Sequence, residues 1–201
     1  MNIVIATENP HKLQELQQIL PSALPDGTPL EYKSMRSFLL SLPAETGTTL
    51  DENARQKAVY VAKETGLIAL SDDTGLEVDF LNGAPGVYTA RYAGEHGNAQ
   101  ANNQKLLTAL KGVARPQRTA HFKTVACLAY PDGTYQLFEG IVQGYIAEEY
   151  HGQNGFGYDP IFVVKETGKT FAEMTTEEKN AVSHRGRAFA KLAAWMKDNI
   201  R

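Results

Sequence analysis

Two adjacent carboxylates, Asp72 and Asp73, follow a short apolar run in residues 67–79, LIALSDDTGLEVD. Adjacent carboxylates repel each other, and a hard cation with oxygen ligands is a common compensation. Thr74 and Gly75 come next, and an alternating segment follows. A hydroxyl and a glycine suit a phosphate group that must approach the backbone closely. The stretch therefore predicts a magnesium-dependent site acting on a phosphorylated substrate. Its composition is equally that of a solvated turn between two strands, since Asp, Thr and Gly are ordinary turn residues.

Three further segments carry groups of the same kind, and a fourth adds one carboxylate. Thr7-Glu8-Asn9-Pro10-His11-Lys12 lies between an apolar run and a helical pattern. Amides at a helix N-terminus favour anions. Thr7 and Asn9 add neutral donors, and Lys12 adds a point charge for phosphate. The glycines and GK[ST] ending of a Walker A loop are absent. Glu45 sits in the turn Pro43-Ala44-Glu45-Thr46-Gly47. It is either a metal ligand reaching toward Asp73 or a solvated loop residue. In Gly155-Phe156-Gly157-Tyr158-Asp159-Pro160, Phe156 stands between glycines with no local partner. It offers an open face for a nucleobase, or else it plugs a surface turn. Asp159 precedes a proline and is held extended. Finally, Lys179, His184 and Arg185 fall within a few residues of one another at an expected break between helices. They could donate to a carbonyl or phosphate, or be plain surface charges, as Lys165, Lys169 and Arg187 are expected to be.

These residues need elements to position them. Residues 2–6 read as a buried strand and 7–11 as a polar loop. A helix over 12–20 carries Leu13, Leu16, Ile19 and Leu20 at helical spacing, and Pro21 stops it. Residues 22–45 read as loop with a short element. Thr49 and Glu52 form a capping box, and the helix behind it aligns Ala54, Ala58, Val61 and Ala62 before Gly66. Strands are expected at 67–70 and 76–81, on either side of the carboxylates. A helix over 98–111 follows, then strands 119–130 and 135–146 joined by Pro131-Asp132-Gly133. A glycine-rich loop at 152–159 leads into a strand at 161–164. Thr175 and Glu178 make a second capping box, and a last helix spans 185–199. The expected class is α/β, with a mixed central sheet flanked by helices.

The 201 residues suffice for one large domain. Hydrophobic residues at 42% and charged residues at 21% are those of an ordinary globular protein. A net charge of −3 with no basic run argues against nucleic acid as a partner. The single cysteine, Cys127, excludes an intramolecular disulfide and any CxxC metal site. Neither a signal peptide nor a membrane span is legible, so no membrane partner and a cytoplasmic location are expected.

Taken together, the segments ATENPHK, ETGTTLDENARQKA, SDDTGLEVDFLNGAPGVYTARYAG, GFGYDPIFV and MTTEEKNAVSHRGRAF resemble the inosine triphosphate pyrophosphatase family, most closely its bacterial type. The resemblance implies a single ITPase-like domain over 1–201, with two lobes around a central cleft. It implies hydrolysis of ITP, dITP and XTP to the monophosphate and pyrophosphate with Mg2+, and a homodimer. By the same resemblance Thr7, Asn9 and Lys12 bind the phosphates, with the Thr74 hydroxyl in contact. Glu45 and Asp73 hold magnesium, Asp73 is also the base that activates water, and Asp72 supports it. Phe156, Gly157, Tyr158 and Asp159 hold the base, and Lys179, His184 and Arg185 contact it. Donors from His184 and Arg185 would satisfy a 6-oxo purine and leave a 6-amino purine unpaired. The chain departs from the family at Thr74, where Ser is usual, and at Glu8, where many members have Gly. A carboxylate at position 8 must point away from a triphosphate. Two rival classes remain. A haloacid dehalogenase-type phosphatase would release orthophosphate, but it needs Asp-x-Asp and here the aspartates are adjacent. A non-catalytic nucleotide-binding module would bind without turnover.

Overall fold

The computed structural model describes residues 1–200, which divide into two compact units. Unit 1 comprises Met1–Asp73, Thr124–Gly140 and the chain from Arg185 onward, and unit 2 comprises Thr74–Lys123 and Ile141–His184. The strands are β1 (Asn2–Ile5), β2 (Glu31–Ser34), β3 (Ile68–Val78), β4 (Pro85–Gly86), β5 (Thr119–Ala129), β6 (Tyr135–Ile146) and β7 (Phe162–Val164). The helices are α1 (Pro10–Ile19), α2 (Leu50–Thr65), α3 (Ala99–Ala109), α4 (Thr176–Val182) and α5 (His184–Asn199). Strands β3, β5 and β6 each contribute a segment to both units.

Local chemistry sets the helix ends. Asn9 caps α1, its Oδ1 accepting from the amides of His11 (2.9 Å) and Lys12 (3.3 Å). Pro10 is the first helical residue, where its fixed φ is already suitable and its missing N–H costs nothing. The helix thus starts before the expected position 12. Both expected capping boxes form, Thr49 with Glu52 on α2 and Thr175 with Glu178 on α4.

In unit 1 the hydrogen-bonded strand order is β2-β1-β3-β5-β6. β1 runs parallel to both neighbours, with Ile3 opposite Tyr32 and Ile68. Ile3, Ile5 and Leu70 from the sheet pack with Leu16 of α1 and Phe189, Leu192 and Met196 of α5. Each such fully buried side chain contributes roughly 1.5–3 kcal/mol. In unit 2 the order is β4-β3-β5-β6-β7, with β4 antiparallel to β3 and β7 antiparallel to β6. Its core is aromatic: Phe122 meets Phe162 edge-on at 4.8 Å, and Phe162 stacks on Phe171 at 5.5 Å. The sheet is mixed and flanked by helices, as the sequence predicts.

One expectation fails. The carboxylates were expected in a turn between strands 67–70 and 76–81, yet β3 runs unbroken from Ile68 to Val78 through both of them. Asp72 and Asp73 are buried in mid-strand, at 2% and 8% exposure, so the solvated turn is also excluded. Turn propensity is a local preference, and here side-chain partners on neighbouring elements override it. Among the described residues no helix is long and apolar enough to cross a membrane.

Candidate active site

Side chains alternate faces along a strand, and β3 uses that alternation to separate its two carboxylates. Leu70 joins the core beside α1 and α5, and Asp72, two residues on, meets residues of the same two helices. Ser71 donates to the carbonyl of Ala54 on α2, and Asp73, two residues on, also meets α2. The neighbours in sequence therefore make their direct hydrogen bonds and ion pairs with different residues, all of them within unit 1.

Asp72 Oδ2 lies 2.9 Å from Lys12 Nζ on α1 and 3.3 Å from Arg185 Nε on α5. The same guanidinium donates through Nη1 to Glu15 Oε2 at 2.5 Å, so α1 supplies both Lys12 and Glu15, one turn apart. Burial would raise the Asp72 carboxyl, but the charges of Lys12 and Arg185 overwhelm it and hold the group far below the usual carboxylate range. Burial lowers Lys12, with Asp72 opposing.

Asp73 has a different setting. Its Oδ2 accepts from Asn53 Nδ2 at 3.1 Å, and its Oδ1 lies 3.4 Å from Lys57 Nζ. Lys57 also reaches Glu45 Oε1 at 2.8 Å. Asn53 and Lys57 are one turn apart on α2. Burial raises the Asp73 carboxyl above its ordinary value, and Glu45 adds to this, while Lys57 and Lys12 pull against it. For Lys57 burial opposes the charge, but Asp73 and Glu45 outweigh it and the ammonium stays above its ordinary value.

The turn that carries Glu45 is tied to the same helix. Gly47 N donates to Asn53 Oδ1 at 2.9 Å, and Gln56 Nε2 donates to Ala44 O at 3.0 Å. A Cβ on Gly47 would stand 2.5 Å from Asn53 Oδ1, so only glycine permits this approach. Glu45 and Asp73 converge on one cation, which here is the Lys57 ammonium. Among the described residues no group of three His, Cys, Asp or Glu side chains is arranged to hold a metal by itself. A convergent pair of carboxylates does fit a small divalent ion that completes its shell with water and phosphate oxygens.

At the α1 loop, Thr7 Oγ1 accepts from Asn9 N at 3.2 Å. With Asn9 Oδ1 engaged in the cap, the donors left over from these bonds are the Thr7 hydroxyl and the Asn9 NH2. Glu8 turns away from them: its Oε1 accepts from Leu42 N at 3.1 Å, and its carbonyl accepts from Arg36 at 3.0 Å.

Unit 2 holds the remaining expected residues. Asp159 is buried and folds back on its own loop, its Oδ2 accepting from Phe156 N (2.8 Å) and Lys179 Nζ (2.6 Å). A Cβ on Gly155 would collide with that carboxylate. Lys179 Nζ also lies over the Phe156 ring, 4.6 Å from its centroid, so Phe156 has a partner the sequence did not reveal. Phe156 is half-buried. Tyr158 is buried, its hydroxyl donates to Thr89 O at 2.9 Å, and burial pushes the phenol up. Gly157 O accepts from Asn103 at 3.0 Å. His184 stacks on Phe122 at 4.5 Å and 14°. Thr74, half-buried, is the first residue of unit 2.

The structure thus groups Lys12, Glu45, Asp72, Asp73 and Arg185 in unit 1, and Phe156, Asp159 and Lys179 in unit 2. Arg185 was expected beside the base-loop residues, but it donates to Asp72 and Glu15, two carboxylates of unit 1. Sequence reading missed Glu15, Asn53 and Lys57. The signal for Lys57 was present: it falls beside Ala54, Ala58 and Val61 on the buried stripe of α2, where an unpaired lysine is unfavourable.

A model of the Ham1 family matches residues 3–195 of this chain. The chain is 52% identical over 198 residues to a dITP/XTP pyrophosphatase of Elusimicrobium minutum, covering 98% of this chain and 100% of that one. It is 47% identical over 190 residues to a dITP/XTP pyrophosphatase of Bacillus subtilis, covering 94% of each. A solved HAM1 protein structure from Coxiella burnetii superposes with a TM-score of 0.87 at 39% identity, covering 98% of this chain and 99% of that one.

Proposed function

The chain belongs to the Ham1 family, and from that premise we propose that it hydrolyses ITP, dITP and XTP to the nucleoside monophosphate and pyrophosphate. The observation that carries the reading is the division of labour between Asp72 and Asp73. Two titratable groups pushed apart by their surroundings mark an acid–base site. Asp72, fixed as an anion by Lys12 and Arg185, is a structural charge. Asp73, raised by burial, is the better proton acceptor.

Water attacks the α-phosphorus while Asp73 takes its proton. The bond from the α-phosphorus to the bridging oxygen breaks, and that oxygen leaves with pyrophosphate. Lys12, Thr7 and Asn9 bind the phosphates, and the Thr74 hydroxyl adds a contact. Lys57 holds Glu45 and Asp73 together and limits how far the Asp73 carboxyl is raised. Glu45 and Asp73 would hold Mg2+, which when bound neutralises triphosphate charge and orients the phosphates.

The purine is assigned to unit 2. Phe156 stacks on the base, with Gly157, Tyr158 and Asp159 giving the loop its shape. Lys179 sets the Phe156 ring, and His184, held flat by Phe122, donates to the 6-oxo group. Arg185 is assigned to unit 1 as the residue that positions Asp72. The reading extends to a cytoplasmic homodimer, which sedimentation of the purified protein checks.

The test is a panel of nucleoside triphosphates with magnesium, scored for both phosphate products. Pyrophosphate from ITP, dITP and XTP, with little from ATP, is expected. Orthophosphate as the first product, or binding without turnover, overturns the proposal.

A further inference from the structure

We propose that Asn103, on α3 of unit 2, is a positioning residue that sets loop 155–159 for purine binding. The inference rests on the reading of that loop as the purine site.

Asn103 is 2% exposed and donates from Nδ2 to Gly157 O at 3.0 Å, across 54 residues of sequence. The other ties on the loop fall on either side of Gly157, and the Asp159 N–H donates to Phe156 O at 3.1 Å. Asp159 accepts from Phe156 N and from Lys179, and Tyr158 is anchored to Thr89 through its hydroxyl. Asn103 holds the peptide between Gly157 and Tyr158, one residue past the stacking Phe156. That peptide needs a restraint. Gly157 sits at φ +63 with nothing within 4 Å of a Cβ position, so neither a side chain nor local packing fixes it. A glycine peptide can rotate at low cost, and rotation here would disturb the turn between Phe156 and Asp159, whose Asp159 N–H to Phe156 O bond spans it.

The neighbouring asparagine shows what a purely architectural residue looks like. Asn102 uses both ends of its amide, accepting from Ala93 N at 2.7 Å and donating to Ala90 O at 3.2 Å. Asn103 uses its donor, while its Oδ1 is buried with no hydrogen-bond partner among the described residues. A buried acceptor left unpaired is destabilising, and an apolar side chain of the same volume would avoid it. What an asparagine adds here over a leucine is the bond to Gly157 O. That bond also fixes the amide orientation, because a carbonyl accepts only from the NH2 end.

The test measures IMP binding by calorimetry and ITP kinetics on Asn103→Leu and Asn103→Asp in the full chain with magnesium. Loss of one positioning hydrogen bond is expected to raise the IMP Kd and the ITP KM about 5- to 10-fold in both variants, with kcat largely retained. The melting temperature of Asn103→Leu should match or exceed that of the wild type. In Asn103→Asp the carboxylate cannot donate at neutral pH. As the pH falls and the carboxyl protonates, an O–H donor returns, so the ratio of variant to wild-type Kd should decline. A packing role alone gives no such rescue. Unchanged Kd values in both variants, or weakened binding that the acid arm does not relieve, overturn the proposal. Wild-type protein that neither binds IMP nor releases pyrophosphate from ITP overturns the purine-site reading as well. Normal wild-type behaviour with insensitive variants overturns only the role of Asn103.

Discussion

Arg185→Ala should damage the fold of unit 1 and reduce turnover of ITP and ATP by the same factor. The guanidinium is 2% exposed, with Nε 3.3 Å from Asp72 and Nη1 2.5 Å from Glu15. With an effective dielectric near 20, these separations correspond to gross attractions of about 5 and about 7 kcal/mol. Desolvation of the buried ions cancels much of that. The measurable cost of removing one partner from a buried ion cluster is about 3–5 kcal/mol, because the carboxylates stay behind. Lys12 still compensates Asp72 in the variant, which favours the lower end.

The pH dependence has a definite sign. The folded-state pKa of Asp72 is depressed, so its contribution to stability is fully present above its unfolded pKa near 4 and is lost as the pH falls further. The stability gap between wild type and Arg185→Ala should therefore be widest at neutral pH and narrow below about pH 4. Urea unfolding at pH 7 and pH 3 with chelator present measures it. Arg185→Lys, which keeps a charge without the fork, should fall between the two. Kinetics below the melting range complete the test. A stable Arg185→Ala protein whose preference for ITP over ATP has collapsed would show that Arg185 reads the purine, and the positioning role would be wrong.

Other substitutions test the rest of the assignment. Asp73→Asn keeps the size of the side chain and should lower kcat by two or more orders of magnitude, with the fold intact by circular dichroism. Near-wild-type turnover at saturating magnesium would remove Asp73 from the chemistry. Lys57→Met takes away the nearest cation pulling the Asp73 carboxyl down, so the acid limb of the kcat/KM profile should move to higher pH; an unmoved limb rejects the coupling. Phe156→Ala should weaken every purine triphosphate by about 1–3 kcal/mol of stacking while leaving selectivity and melting temperature nearly unchanged. If the protein melts early instead, Phe156 is a plug in its loop.

Most of the architecture was legible because its signals are local. Capping boxes, the Pro10 start, the Gly66 stop and the apolar spacing of α1 and α2 depend on neighbours within a turn or two. The mid-strand course of β3 was not legible. Ser-Asp-Asp-Thr-Gly has turn composition, and what holds it extended is supplied by Lys12, Asn53, Lys57 and Arg185, all distant in sequence. Glu8 reads as a repulsive neighbour for phosphate, and the fold answers it with Leu42 N, 34 positions away, which donates to its carboxylate. Phe156 looked unpartnered because Lys179 lies 23 positions later. In each case residue type was a good guide to the chemistry, while the partner was set by the tertiary fold.

The carboxylate pair shows why sequence adjacency misled. On a turn, Asp72 and Asp73 would share one patch of solvent, and their mutual repulsion would call for a single cation between them. On a strand, the period of two sends them to different partners. Asp72 goes to the Lys12 and Arg185 side and stays ionised; Asp73 goes to Asn53 and Lys57 and is raised by burial. The two neighbours thus differ in setting, one an anion held low by Lys12 and Arg185 and the other a carboxyl raised by burial. Inserting one residue between them would put both on the same side of β3 and remove the distinction, so the proposed mechanism depends on the Asp-Asp spacing itself and not only on the presence of two carboxylates.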